Sequence, residues 1–325
     1  MEVLIKQKKN VKVNNKITMF LPSVIAAILL IIIGQIISPG FLSMNNLSSI
    51  LMSASLLALM SMAQNTVIMA GNDGIDLSVG AVASMTALLC PALPMNNILQ
   101  FMAAVFIVLA IGAVFGLING LGTQFFKVPA LIMTLVISSV VFGFTMLVTR
   151  GQPAINISKL LLSISMVIVS PIRILTLIVI ILLIGGEIVL IKTRFGRMLR
   201  LIGDNSRAAF ISGINIKKIR LLSFVTSGAI AGLVGMLLVG YAGSTTMKMA
   251  VGYTLLSVAA VAIGGTNLAG GRGSYIGGGL GALVIIILNS ILQALNMSAG
   301  NRAVIQGTLL LIIVLFNSRS SKLRQ

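Results

Sequence analysis

The chain has only five acidic residues in 325, Glu2, Asp73, Asp76, Glu187 and Asp204. Asp73 and Asp76 sit where the polar break Gly71-Asn72-Asp73-Gly74 interrupts apolar sequence. Hydrocarbon disfavours charge so strongly that an ionisable group at membrane depth is a functional candidate by default. Two readings stand here. Asp76 and Ser78 can cap a helix beginning near Val79 by accepting from its free N–H groups, or, with Asp73, they can line a permeation path. A second break, Gly264 to Gly273, offers Thr266, Asn267 and Arg272 as candidates for the same path or for a structural interruption. Glu187 lies close to Lys192 and Arg194, so an interfacial ion pair is expected there, and Glu2 falls in a terminal tail. Catalysis finds no footing. With no histidine and one cysteine, Cys90, the sequence excludes a His base, a His-ligated metal and an internal disulfide. No Gly-x-x-x-x-Gly-Lys-Ser/Thr occurs, so the chain has no P-loop for ATP. The glycines of 264–274 lack the strand–turn–helix surroundings of a dinucleotide site. The residues read as a transport pathway that needs no cofactor or metal, and not as an enzyme.

A different kind of chemistry, recognition of another protein, is carried by the basic stretch Lys192 to Arg220. It holds eight of the 23 Lys and Arg residues. Asp204 or Asn205 can cap a short helix whose body includes the good helix former Ala208 with Ala209, and Gly213 can take the left-handed conformation that ends it. Two turns are too few to be stable alone in water. Phe210 and Ile211 would be its apolar anchors in a partner's groove, the alternative being that they pack back on the same chain.

These residues must be positioned by membrane helices. The chain is 58% hydrophobic and 9% charged, whereas soluble domains average roughly a quarter charged residues. Apolar runs fall at about Ile17–Ile37, Leu47–Ala70, Leu77–Pro91, Ile98–Gly120, Pro129–Val148, Ile172–Ile191, Leu221–Tyr241, Tyr253–Gly265, Tyr275–Leu295 and Ala303–Phe316. The expectation is an all-α polytopic membrane protein of about ten transmembrane helices, with two broken or re-entrant Gly-rich segments. Residues 1–16 form a basic tail, 17–317 a single membrane domain containing the loop 192–220, and 318–325 a second tail. The first apolar run is too long for a cleaved signal core and reads as an uncleaved span. With the N-terminus in the cytoplasm, 18 of the 23 Lys and Arg face inward and five outward, as the positive-inside rule requires. The breaks at 71–80 and 264–273 resemble each other weakly, as internal repeats of transporters do. Gly228, Gly232 and Gly235 have the spacing for close helix packing.

Gly74-Ile75-Asp76-Leu77-Ser78-Val79-Gly80 resembles a signature of the ribose/xylose-type sugar ABC transporter permeases, within the group that includes branched-chain amino-acid permeases. Arg194-Phe195-Gly196-Arg197, Gly203-Asp204-Asn205, Ala208-Ala209 and Ser212-Gly213-Ile214 are similar to that family's cytoplasmic loop, and Gly252-Tyr253 with Ala259 to Gly273 to its C-terminal signature. The resemblance, over roughly residues 20 to 317, implies a multi-pass permease in the cytoplasmic membrane of a prokaryote, with both termini cytoplasmic. It implies a second permease subunit, identical or sister, an ABC ATPase docked at the central loop, and an extracytoplasmic solute-binding protein. ATP would be bound by the ATPase partner. The implied function is ATP-driven import of a small polar solute, first of all a monosaccharide, with a nucleoside or signalling sugar as the alternative. An ion-coupled secondary transporter using Asp73 or Asp76 is the rival of another class. Two departures stand out: the family runs Gly directly into Gly-Ile-Asp, whereas this chain inserts Asn72-Asp73, and Ser206-Arg207 stands where acidic residues are usual.

Overall fold

The computed structural model describes residues 2–154, 156–169 and 171–321. Of the expected C-terminal tail, Lys322 to Gln325 lie outside the described residues. Long apolar runs become long helices, because only a helix satisfies its backbone polar groups within one segment in hydrocarbon. In order these are α1 (Glu2–Ile37), α2 (Met44–Met69), α3 (Val79–Leu89, extended by a 3-10 turn Cys90–Ala92), α4 (Ile98–Gln124), α5 (Ala130–Thr149), α6 (Lys159–Ser163), α7 (Ile174–Lys192), α8 (Arg194–Asp204), α9 (Ser206–Ile211), α10 (Ile216–Ala242), α11 (Val251–Ile263), α12 (Tyr275–Ala294) and α13 (Ala299–Ser321). Among the described residues seven of them, α1 in its Phe20–Ile37 part, α2, α4, α5, α7, α10 and α12, are long and apolar enough to cross a membrane. The chain is a helical, polytopic membrane protein.

Three features differ from expectation. A short antiparallel pair, β1 (Val167–Val169) and β2 (Ile172–Arg173), stands between α6 and α7, with Val167 opposite Arg173 and Val169 opposite Ile172. The β-branched Val167, Ile168, Val169 and Ile172 favour that local pairing. The central loop holds two helices, since an amphipathic α8 precedes the expected short one. Helix α1 begins at Glu2, so the basic stretch before Ile17 is helical, and Pro22 lies inside the same helix.

Burial sorts the helices into layers. The most apolar windows of α2 and α10 are 67% buried and that of α12 is 61%, against 22% for α4, α5 and α7. The first group forms the centre, and the outer helices present residues such as Leu147 and Ile36, 81% and 76% exposed, to lipid. Short α3 lies inside, with Val79 to Leu88 all buried. Glycine sets the spacing. Gly112 and Gly116 on α4 face Gly228 and Gly232 on α10, and a Cβ on Gly112 would strike the Gly228 carbonyl. Without a hydrophobic drive between helices in lipid, such small-residue seams are how backbones gain dispersion contacts. Gly235, farther along α10, meets α3 at Ala83 in the same way.

Candidate functional site

After α2 the chain reverses through three successive left-handed residues, Gly71, Asn72 and Asp73, with φ of 70°, 60° and 52°. Asn and Asp tolerate this region better than other side chains, at a cost on the order of 1 kcal/mol or more each. The chain then re-enters the bundle in irregular form from Gly74 to Ser78 before α3 begins. Non-helical backbone among buried helices needs partners for its N–H and C=O groups, and side chains of neighbouring helices supply them. With its amide oriented to satisfy both bonds, Gln64 of α2 donates to Asp76 O at 3.0 Å and accepts from Asp76 N at 3.1 Å. Thr134 Oγ1 of α5 accepts from Leu77 N at 3.1 Å.

The Asp76 carboxylate completes this knot. Oδ1 accepts from Ser78 N at 3.0 Å and Ser78 Oγ at 2.6 Å, and Oδ2 accepts from Ser227 Oγ of α10 at 3.0 Å. Asn119 Nδ2 of α4 donates to Ser78 Oγ at 2.8 Å. Gln64, Asp76, Asn119 and Ser227 are 0% exposed, so the cluster joins α2, α3, α4 and α10 entirely inside the bundle. A buried polar network of this kind fixes one arrangement of its members, because any loss leaves unpaired groups in a dry interior. The bond to Ser78 N, two residues on, closes a local turn ahead of α3. Ser78 at the N-cap gives its hydroxyl to Asp76 and makes no side-chain bond to the free N–H groups of the helix, so the expected capping is not made. Asp73, in contrast, is exposed and faces a cavity of about 1100 Å³. The two acids of the break therefore occupy different environments.

The second break follows α11. Asn267 N donates to Arg272 O at 2.9 Å, and Asn267 Oδ1 accepts from Ala269 N at 3.1 Å, which folds the segment on itself. Thr266 is 1% exposed, with its hydroxyl unpaired, and Arg272 is exposed. Ser274 caps α12 by accepting from Gly277 N at 3.2 Å. Glu187 of α7 accepts from Tyr275 N at 2.7 Å and Ser274 Oγ at 2.9 Å, where the helix dipole favours an anion. Its other oxygen lies 3.9 Å from Arg200 Nη2 of α8, the one ion pair among the described residues. The expected partners Lys192 and Arg194 do not pair with it: the N-terminus of α12 offers directed N–H donors that surface cations at the end of α7 cannot match.

The two breaks meet at the basic loop. Gly271 N donates to Met69 O at 3.0 Å, across from the end of α2. Gly203 of α8 is wedged between them, where a Cβ would strike both Met69 O and the Gly271 backbone. Gly270 in turn leaves no room against Gly71. Beyond this junction Asn205 caps α9, its Oδ1 accepting from Ala208 N at 2.9 Å, while Asp204 ends α8 beside Gly271. Gly213, at φ 78°, closes α9 with its N–H on Phe210 O at 2.9 Å. Ala209 is 4% exposed and packs with Leu199, Ile202 and Met69, whereas Phe210 and Ile211 are 71% and 79% exposed. Arg220 of α10 donates to Ser206 Oγ at 2.8 Å and to Ala70 O at 3.3 Å, tying the start of α9 to the first break. Glycine-on-glycine contacts and a guanidinium fork thus make α8, α9 and both breaks one mechanical unit. Gln64, Asn119, Thr134, Ser227 and Arg220 were not singled out from the sequence. Their signal was there, polar side chains set in long apolar runs, but their partners are fixed only by the fold.

With that geometry in view, comparison with known proteins is informative. The family described as branched-chain amino acid transport system / permease component matches residues 46–314. The ribose import permease protein RbsC of Escherichia coli (strain K12) is 33% identical over 313 residues, covering 91% of this chain and 93% of that protein. The fructose import permease protein FruG of Bifidobacterium longum (strain NCC 2705) is 28% identical over 317 residues, covering 94% and 92%. The autoinducer 2 import system permease protein LsrC of Escherichia coli (strain SMS-3-5 / SECEC) is 29% identical over 311 residues, covering 96% and 89%. No solved structure matches the chain.

Proposed function

This chain belongs to the branched-chain amino acid transport system permease-component family, among its sugar ABC permeases, and we propose that it is the membrane subunit of an ATP-driven importer for a monosaccharide. The single observation that carries the mechanism is the pair Phe210 and Ile211, exposed on a six-residue helix whose buried residue, Ala209, packs toward α8 and α10. Short helices persist only when packed, and two large apolar side chains left in the open on one of them suit a groove on a partner. That partner is a cytoplasmic ABC ATPase, which holds the ATP. A second permease subunit and an extracytoplasmic solute-binding protein complete the importer in the cytoplasmic membrane of a prokaryote.

We read ten crossings: the seven helices long and apolar enough to cross, the shorter α3 and α11 in broken segments, and α13. The breaks at 71–76 and 264–273, loop 192–220 and both termini then face the cytoplasm, where the basic residues concentrate. Closure of the ATPase dimer pushes α9, and the junction at Gly71, Gly203 and Gly270 passes the displacement to α2, α3, α11 and α12 as a rigid-body shift. Asp76 and Ser78 hold the re-entrant chain in register during that shift, while Asp73, Thr266, Asn267 and Arg272 sit on the segments that move. Ribose is the first solute to try, given the ribose import permease among the relatives, with fructose and autoinducer 2 next.

Reconstitution tests the reading. Proteoliposomes containing this chain with its ATPase and binding protein are expected to take up labelled ribose only when ATP is present on the ATPase side. Uptake by the chain alone under an ion gradient would falsify the proposal and favour a secondary transporter.

A further inference from the structure

We propose that the cavity beneath the first break is a regulatory site for a small hydroxylated anion of the sugar-phosphate class, bound from the cytoplasmic side. The proposal rests on the sugar-importer reading above. The cavity, about 1100 Å³, has a polar wall of Asn72 and Asp73 of the left-handed turn, Gln124 and Lys127 at the α4–α5 connection, and Lys217 and Arg220 in the first turns of α10. The rest of its lining is largely apolar and includes Phe210, so it adjoins the ATPase-docking helix. Three cations face one carboxylate there. The single ion pair among the described residues, Glu187 with Arg200, lies elsewhere and supplies no counter-charge. Lys217 Nζ stands 5.6 Å from the centroid of the Phe125 ring, and Arg220 is held by the neutral oxygens of Ala70 and Ser206. The open cavity is therefore short of negative charge, and a phosphate is the group that guanidinium and ammonium donors together match best.

Topology accounts for the cations, since lysines gather on this side in any case. It does not account for the other wall. Asn72 and Asp73, the pair that departs from the family's pattern, are held at φ 60° and 52° and line the cavity with Gln124. Two amides and a carboxylate can donate to and accept from hydroxyl groups. A neutral sugar would leave the cations unmatched, and inorganic phosphate alone would leave the amides unused. A sugar phosphate uses both walls. It is also what a phosphoryl-transfer reaction makes of an imported neutral sugar, so its concentration reports on supply.

Occupancy would act on coupling. An anion bridging α10 to the 71–74 turn joins the unit that carries α9, through Arg220 and Ser206, to the α4–α5 connection of the bundle. Any displacement of α9 that separates these walls costs the ligand its contacts, so the ligand favours the arrangement seen here and opposes the transport cycle.

The native Cys90 is buried, which permits a direct measurement on the complete importer in nanodiscs. Gln124→Cys is introduced and its rate of modification by a maleimide is followed, with Gln152→Cys, exposed on the α5–α6 connection, as the control. D-ribose 5-phosphate is expected to slow modification of Q124C several-fold, leave Q152C unchanged, and lower ATP-driven uptake over the same concentration range. Lys127→Gln is expected to raise the protecting concentration roughly tenfold, the effect of losing one charge-assisted contact. Equal protection by D-ribose or inorganic phosphate alone, protection that depends on phosphatidylglycerol in the disc, or no protection overturns the proposal. Protection without any effect on uptake overturns the regulatory role. The two readings fail separately: protection by D-ribose 5-phosphate in an importer that moves no ribose leaves this site standing and removes ribose as the solute.

Discussion

Asp76 accepts three hydrogen bonds while fully buried, and its removal tests whether it is a structural tie. Asp76→Ala would strand Ser78 N, Ser78 Oγ and Ser227 Oγ in a dry interior, at about 1–3 kcal/mol for each group left unpaired. The expected result is a markedly lower unfolding temperature in detergent, with Asp76→Asn intermediate, because Asn keeps one acceptor and turns the other position into a donor. A D76A protein that melts with wild type would remove the tie. Gly203→Ala makes a sharper test of the junction, since the added methyl meets main chain on two sides and main chain cannot rotate away. That variant is expected to lose uptake, with stability reduced by a few kcal/mol as for other overpacked sites; wild-type uptake would deny the junction its role. The place of Asp76 and Ser78 ahead of Val79 was legible, but in the fold the Ser78 hydroxyl turns to Asp76 and not to the free N–H groups of α3. The rest of the knot was not, because Ser227 stands 151 positions away and Asn119 is 41 from Ser78.

At the scale of elements, α9 depends on its ends. Six residues of helix have almost no intrinsic stability, so Asn205→Ala, worth about 1 kcal/mol at an N-cap, is expected to fray the helix and weaken ATPase binding without affecting membrane insertion. Co-purification of the ATPase at wild-type yield would contradict this. Ala209→Asp is expected to be more severe, lowering both coupling and thermal stability, because the position is buried among Leu199, Ile202 and Met69. The short helix could be located from the sequence since its punctuation is local: Asn205 before it, Gly213 after it. Helix α8 was not located. Its inward residues, Gly196, Leu199 and Ile202, are interleaved with arginines that make the whole stretch look like a polar loop. A likeness between the two breaks was suggested by their glycines, but only the fold brings them together, with Gly203 of a third segment between them.

For the whole molecule, span count and layering follow from different physics. Apolar length reveals which segments can cross, so the long helices could be placed nearly end to end from the sequence. Which helices lie inside depends on small residues and on polar side chains that hydrocarbon would reject, such as Gln64 on α2 and Asn119 on α4. The resulting topology predicts that Ser212→Cys reacts with an impermeant maleimide only from the cytoplasm and Gln152→Cys only from outside; labelling from the opposite sides would invert the account. Its central claim is that an engine below the bilayer grips the bundle through Phe210 and Ile211. The most direct measurement is the dissociation constant of the ATPase for the permease in nanodiscs, wild type against Phe210→Ala/Ile211→Ala. The account predicts at least a tenfold weaker complex, as for truncating interface hot spots, with unchanged thermal stability and no ATP-driven uptake. A double variant that binds the ATPase and transports like wild type would contradict it.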